Sequence, residues 1–196
     1  MHSKSKKLVP IPEDTLKKMA SLASKYGEGT FSFIARTLEE AIPLLDRGVT
    51  VKDAKNLYIL VETLKKTGVM IIPGELLQFL LSSLPSEVRD QAFRVAYEVG
   101  EWFGKYILAK SGSSSDSLET FKELTPLYLW DASEFLVNNE EGKLKVRYIS
   151  PGQTYERTML LASFLEGVVN AMGYKTVSKE VHRGIIVLDF SQKECD

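Results

Sequence analysis

Apolar residues recur at helical spacing along most of the first 130 positions, and they alternate with polar residues in much of the last third. Spacings of three and four predict amphipathic helices, whereas alternation predicts half-buried strands. The pattern predicts strands at 6–11, 132–137, 143–149, 175–180 and 184–190. It predicts helices at about 13–26, 31–46, 51–66, 75–83, 87–109, 116–126 and 154–172. We therefore expect an α+β protein with antiparallel strands in its C-terminal part.

Turn and capping residues mark the expected ends of these elements. Gly27-Glu28-Gly29 ends the first helix, and Thr30 or Ser32 is expected to cap the second. Thr50 is a candidate cap for the third helix, which Gly68 ends. The run Ser111–Ser115 contains four serines and a glycine and predicts a flexible loop.

Composition excludes several classes of protein. The 196 residues are 44% hydrophobic and 26% charged, which is typical of a globular chain and excludes disorder as the main state. The single cysteine, Cys195, excludes a disulfide scaffold and a cysteine-based zinc site. No apolar run approaches the roughly 18 residues that a membrane-spanning helix needs. We expect no membrane association and a cytoplasmic location.

Motifs that support catalysis are sparse. The two histidines, His2 and His182, have no metal-ligand spacing, and the chain contains no Gly-x-Ser-x-Gly elbow. We therefore expect neither enzyme activity nor a metal or cofactor.

Aromatic residues and glycines in the second half suggest a ligand pocket. Gly100 and Gly104 lie four positions apart in a predicted helix, where each costs about 1 kcal/mol relative to alanine. Such glycines allow close approach of another backbone or of a ligand. The nearby rings Trp102, Tyr106, Trp130 and Tyr155 are expected to line the pocket, with Arg157 available for a carboxylate. The alternatives are a plain aromatic core and a surface ion pair at Arg157.

Charge is distributed unevenly along the chain. Residues 1–50 contain eight Lys or Arg and six Asp or Glu, whereas residues 111–196 contain nine and thirteen. Lys4, Lys6 and Lys7 all precede the first acidic residue, Glu13. This basic tip is compatible with a polyanionic partner, and the alternative is a solvated terminus.

Residues 6–47 resemble a ribbon-helix-helix DNA-binding domain. They contain a basic strand, Ile11-Pro12-Glu13, a glycine-containing turn and a second helix in which Thr30, Phe33, Ile34 and Leu38 match the form Ser/Thr-x-x-Phe-Ile-x-x-x-Leu. The resemblance implies that residues 1–48 dimerise by pairing two strands, and that the ribbon enters the major groove of duplex DNA. The implied DNA-binding residues are Lys4, Lys6, Lys7, Leu8, Thr30 and Ser32. Because Leu8 and Pro10 offer few hydrogen bonds to base edges, we expect modest sequence discrimination.

Residues 85–190 are similar to the 4-vinyl-reductase-like domain. The resemblance rests on Tyr97-Glu-Val-Gly-Glu-Trp-Phe-Gly104, on the helix that ends in Ala171-Met-Gly-Tyr174, and on the closing strand pair. It implies that residues 85–196 bind a small hydrophobic molecule or act as a dimerising module, with 49–84 as a helical connector. The implied ligand-binding residues are Trp102, Tyr106, Trp130, Tyr155 and Arg157.

Together these features predict a homodimeric DNA-binding transcription regulator with a small-molecule-sensing C-terminal domain. One alternative is a ligand-binding or scaffolding dimer without DNA binding. Another is an enzyme that acts on an apolar substrate in the aromatic pocket.

Overall fold

The structure is a computed structural model that describes residues 8–140 and 142–193. These residues form seven α-helices and one four-stranded antiparallel sheet, which confirms the predicted α+β class. The helices are α1 (Glu13–Lys25), α2 (Thr30–Leu45), α3 (Val51–Lys66), α4 (Gly74–Ser83), α5 (Ser86–Ser111), α6 (Ser114–Leu124) and α7 (Tyr155–Ala171). The strands are β1 (Glu134–Glu140), β2 (Lys143–Ile149), β3 (Tyr174–His182) and β4 (Ile185–Gln192), and a 3-10 turn covers Thr125–Leu127. The chain divides into two compact units, residues 1–55 and 56–196.

The N-terminal unit is built on a hairpin of α1 and α2. Gly27 takes a left-handed conformation (φ 69°) and ends α1, as predicted. Across the turn, the rings of Tyr26 and Phe33 stack with their centroids 5.6 Å apart. Arg36 lies over the Phe33 ring and donates to the Glu28 carboxylate at 3.0 Å. These contacts join the two helices at the turn. Ala23 and Phe33 are the only buried residues of α1 and α2.

Two local predictions in this unit differ from the structure. The predicted strand at 6–11 is absent from its described part, residues 8–11, and residues 6 and 7 lie outside the described ranges. A strand requires a neighbour for its backbone groups, and a single chain provides none here. The residue that precedes α2 is Gly29, in an extended conformation, so the prediction that Thr30 or Ser32 caps this helix is wrong. Thr30 and Ser32 lie instead within its first turn.

The third helix follows its predicted bounds. The Thr50 hydroxyl accepts from the Asp53 N–H (3.1 Å), and the Asp53 carboxylate accepts from the Thr50 N–H (2.9 Å). This reciprocal pair is a capping box, and it confirms Thr50 as the cap. Hydrogen bonds from Thr50 lower the pKa of Asp53.

The C-terminal unit contains the sheet, with strand order β1-β2-β4-β3 and every neighbouring pair antiparallel. The alternation predicted for 143–149 is observed, since Leu144, Val146 and Tyr148 are buried and the intervening basic residues are exposed. The buried face of β4 carries Ile186, Leu188 and Phe190. One face of the sheet therefore forms the core, and the other carries ion pairs such as Lys145–Asp189.

Helix α7 lies on the buried face of the sheet, and α5 lies on α7. Three glycines bring these two helices into backbone contact. A methyl group at Gly100 would overlap the carbonyl oxygen of Phe164, and one at Gly104 would overlap that of Val168. On the facing helix, a methyl group at Gly167 would overlap the carbonyl oxygen of Tyr97. Of the two roles expected for Gly100 and Gly104, the structure shows the close approach of another backbone.

Two loop predictions are wrong at this level of detail. The expected flexible loop at Ser111–Ser115 is a connection of two residues between α5 and α6. Gly112 ends α5 in a left-handed conformation, and the Ser113 side chain caps α6 by accepting from the Asp116 N–H. Strand β1 continues to Glu140, beyond its predicted end at residue 137, because β2 pairs with it along its whole length. Capping and strand pairing depend on neighbours that hydrophobic periodicity does not reveal.

Candidate functional site: the groove beside α7

A groove of about 430 Å³ lies in the C-terminal unit along α7. Its walls come from α4, α5 and α7, and the segment between the 3-10 turn and β1 also contributes to its lining. This volume lies within the range of small-molecule sites in proteins. The lining is mainly aliphatic and comprises Leu77, Ala92, Val95, Ala96, Val99, Leu129, Leu160, Leu161 and Phe164, with Tyr128, Asp131, Gln153 and Arg157 at its polar positions.

The polar end is organised around the Asp131 carboxylate. Its Oδ1 accepts from the Tyr148 hydroxyl at 3.2 Å, and its Oδ2 accepts from Gln153 Nε2 and Arg157 Nη2, each at 3.0 Å. Gln153 Nε2 also donates to the Tyr148 hydroxyl at 2.7 Å. Three side chains from β2, from the loop before α7 and from α7 itself thus converge on one carboxylate.

Local electrostatics fix the charges in this cluster, which we call the Asp131 cluster (Asp131, Tyr148, Gln153 and Arg157). Burial acts to raise the pKa of Asp131, but hydrogen bonds from Gln153 and Tyr148 and the charge of Arg157 outweigh it and lower this pKa. Burial raises the pKa of Tyr148 to about 12. At neutral pH the cluster therefore contains one carboxylate, one guanidinium and a neutral phenol that donates to the carboxylate.

Hydrogen bonds between α7 and the turn that joins β3 and β4 position the residues of this cluster. The Thr158 hydroxyl accepts from the Gly184 N–H at 2.9 Å and donates to the Thr154 carbonyl at 2.7 Å. The Gly184 carbonyl accepts from the Ser150 N–H at 2.8 Å. These bonds tie the β3–β4 turn to the start of α7, where Gln153 and Arg157 are placed.

The predicted ligand-binding residues do not converge on one cavity. Arg157 lines the groove, whereas Trp102 and Tyr106 stack on each other with centroids 5.9 Å apart. Trp130 is 75% exposed, and its indole N–H donates to the Leu127 carbonyl at 2.6 Å. Tyr155 is half exposed and lines a separate depression of about 170 Å³. The structure does not enclose Trp102, Trp130 and Tyr155, which are 49%, 75% and 50% exposed. Their role in ligand binding stays a prediction.

The alternative expected for Arg157, an ion pair, is observed with Asp131, although only 21% of the arginine side chain is exposed. Sequence reasoning missed Asp131, Tyr148 and Gln153. Asp131 and Gln153 lie in short connections, where hydrophobic periodicity carries no information about neighbours. Their one sequence signal is a polar side chain in a short connection, within three residues of the start of a strand or a helix.

The predicted DNA-binding residues lie in the N-terminal part of the chain. Lys4, Lys6 and Lys7 fall outside the described residues. Leu8 is fully exposed, and Thr30 and Ser32 occupy the first turn of α2, where helices present backbone N–H groups. Their role in binding DNA stays a prediction.

A larger depression, of about 990 Å³, lies on the exposed face of the sheet between β1, β2, β4 and the bulge in β3. Ionic and polar side chains such as Lys145, Ser178 and Asp189 line it. The groove beside α7 is the better candidate site, because its lining includes the Asp131 carboxylate, on which three side-chain donors converge.

Comparisons of the chain with protein-family models, with curated proteins and with solved structures find no match. Within residues 8–140 and 142–193, no group of three or more His, Cys, Asp or Glu side chains has an arrangement that suits a metal ion. No helix in these ranges combines the length and apolar character needed to cross a membrane.

Proposed function

We propose that the chain is a homodimeric DNA-binding transcription regulator, with a ribbon-helix-helix-like N-terminal unit and a 4-vinyl-reductase-like C-terminal domain that senses a small molecule. The observation that carries the proposal is the apolar stripe of α2. Leu38, Ile42 and Leu45 lie on one side of this helix and are 61%, 52% and 54% exposed in the single chain.

This stripe favours pairing with a second copy. Full burial of one leucine or isoleucine side chain contributes about 1.5–3 kcal/mol relative to full exposure. Helix α1 adds Leu16 and Leu22, which are 42% and 41% exposed. A two-fold partner repeats both stripes, so each copy supplies the apolar cover that the other needs.

The expected DNA surface follows from the same symmetry. Pairing of two chains through residues 7–11 brings two copies of Lys4, Lys6 and Lys7 together, with the two starts of α2 beside them. Backbone N–H groups at Thr30 and Ser32 suit phosphate oxygens. Leu8, which is fully exposed, suits a thymine methyl group.

The groove beside α7 supports a sensing role rather than a catalytic one. Asp131 accepts from three side-chain donors, and its pKa is lowered. A carboxylate held in this way is a poor proton acceptor but a well-oriented recognition group.

A salt titration of duplex-DNA binding tests the proposal. For the intact chain we expect affinity to fall steeply with salt, because each neutralised phosphate releases a counterion. Replacement of Lys4, Lys6 and Lys7 by alanine removes six charges per dimer, which reduces the slope of log affinity against log salt by up to about five.

The control variant changes the same number of charges in the C-terminal unit. It replaces three exposed lysines that the described contacts leave outside ion pairs, and it should retain the wild-type slope; these are Lys110, Lys143 and Lys175. Equal loss in both variants, or absence of binding by the intact chain, would contradict a DNA-binding role.

A ligand-binding or scaffolding dimer without DNA binding is the second candidate. It is favoured by the absence of hydrogen-bonding side chains at Leu8 and Pro10, where the ribbon-helix-helix family usually places base readers. This candidate predicts a dimer that binds no duplex DNA at low salt.

A further inference from the structure

The chemistry of the groove beside α7 narrows the class of molecule that it binds. We propose that it takes a neutral aliphatic molecule with a single hydroxyl head group, whose chain lies along α5 and α7 and whose hydroxyl meets Asp131 and Arg157. This inference rests on the sensing role proposed above and specifies its ligand.

The walls of the groove suit an aliphatic body. Val95 and Val99 of α5 line the groove together with Leu160 and Leu161 of α7, and the two valines are 48% and 46% exposed. The alanines Ala92 and Ala96 keep the space between these walls open. A chain of methylenes that covers these side chains gains roughly 0.8 kcal/mol for each buried CH₂ group.

The polar end selects a head group without charge. The carboxylate of Asp131 and the guanidinium of Arg157 are 3.0 Å apart, and their charges cancel. A carboxylate ligand would approach Asp131 as a like charge, and an ammonium ligand would approach Arg157 in the same way. Both charged head groups would also lose hydration, and neither would gain an unpaired counter-ion, because Asp131 and Arg157 already pair with each other.

The hydrogen-bonding capacity of this end fits a hydroxyl. The Asp131 carboxylate accepts hydrogen bonds from three side chains and from its own backbone N–H, but 42% of its side chain is exposed, so its oxygens stay accessible to a further donor in the groove. Arg157 donates to Asp131 through Nη2, and its guanidinium carries further donors. One acceptor and one donor side by side complement a group that both donates and accepts.

The guanidinium of Arg157 lies between Asp131 and the start of α4. A methyl group at Gly74, the first residue of α4, would lie 3.4 Å from the guanidinium carbon, so glycine at this position leaves room for the guanidinium. The ion pair with Asp131 orients the donors of Arg157 at the polar end. Preorganised donors of this kind reduce the ordering cost of binding.

Thermal-shift and calorimetric titrations of the full chain with n-octanol, octanoate and octylamine test the proposal, each probe being used below the concentration at which it aggregates. We expect n-octanol to bind at least about tenfold more tightly than octanoate. A like charge at hydrogen-bonding distance shifts the pKa of a carboxyl group by about one unit or more, which corresponds to a tenfold change in an equilibrium constant. Octylamine should also bind more weakly than n-octanol.

Two variants make the test specific. Asp131→Asn removes the negative charge that balances Arg157 but retains an oxygen that accepts from Tyr148. The preference for n-octanol over octanoate should therefore reverse. Ala96→Phe fills the groove and should abolish binding of n-octanol, whereas Val88→Phe, at an exposed position of α5 outside the groove lining, should leave it unchanged.

Equal binding of the three probes, absence of n-octanol binding, or an unchanged preference in Asp131→Asn would overturn the inference. These outcomes are distinguishable from failure of the proposed function. If n-octanol binds as expected and DNA affinity is unaffected by it, the ligand class stands and the sensing role fails. If DNA binding shows the expected salt dependence and n-octanol does not bind, the ligand assignment alone fails.

Discussion

Replacement of Gly167 by alanine tests the packing that positions the groove. Alanine is the better helix former by about 1 kcal/mol, so propensity alone predicts a more stable α7. The added methyl group, however, would overlap the Tyr97 carbonyl oxygen and lie 2.9 Å from the Glu101 nitrogen. Both neighbours are backbone atoms, and no rotamer change relieves the overlap. Helices α5 and α7 must therefore move apart. This movement would strain the hydrogen bond that the Asn170 side chain of α7 donates to the Tyr97 hydroxyl of α5 at 3.0 Å.

We expect a net destabilisation of about 2 kcal/mol, because overpacking costs about 1–3 kcal/mol and backbone contacts belong at the upper end of that range. With a urea m-value of about 2 kcal/mol per molar, the unfolding midpoint falls by about 1 M. Tryptophan fluorescence reports on this unit, since both tryptophans, Trp102 and Trp130, lie in it.

Gly152→Ala is the matched control. Gly152 has nothing within 4 Å of the position that a methyl group would take, so the midpoint should stay unchanged or rise slightly. If Gly167→Ala proves as stable as the wild type, the close approach of α5 and α7 is not what requires glycine at this position.

Three further predictions concern single contacts. Thr158→Val leaves the Gly184 N–H without its acceptor and should cost about 1–3 kcal/mol in unfolding experiments, whereas Thr158→Ser keeps the hydroxyl and most of the stability. Thr50→Ala removes the capping box with Asp53 and should lower the helical circular-dichroism signal near the start of the melting transition, an effect that Thr50→Ser should largely avoid. Because burial raises the pKa of Tyr148 to about 12, above the unfolded value of about 10, its contribution to stability is complete below pH of about 10 and is lost as pH rises towards 12. An ultraviolet titration of Tyr148→Phe should lack one late-titrating tyrosine, and an unchanged titration curve would contradict burial of this hydroxyl.

Elements with a strong local signal were predictable from the sequence. The alternation in Lys143–Ile149 gave both the bounds and the buried face of β2, because one face of the sheet is covered and the other is not. The bounds of α3 followed from Thr50 and Gly68, since capping and left-handed termination depend on residues that are close in sequence.

Features that depend on distant neighbours were not predictable in the same way. Periodicity identified α5 as amphipathic but did not show that Gly100 and Gly104 face α7, so the rings of Trp102 and Trp130 were expected in a pocket that they do not share. The Asp131 cluster joins residues 131, 148, 153 and 157, and only the folded sheet and α7 bring them together.

The molecular mass in solution is the most direct test of the central claim, that the apolar stripe of α2 pairs with a second copy of the chain. Light scattering at micromolar concentration should give twice the 22.0 kDa of the chain. The variant Leu38→Glu/Ile42→Glu places charges at positions that are already exposed in the single chain, so it should fold and give the monomer mass. Glu39→Gln, an exposed polar position of the same helix, should remain a dimer. A wild-type monomer at this concentration, or a dimer that persists in the Leu38→Glu/Ile42→Glu variant, would contradict the account.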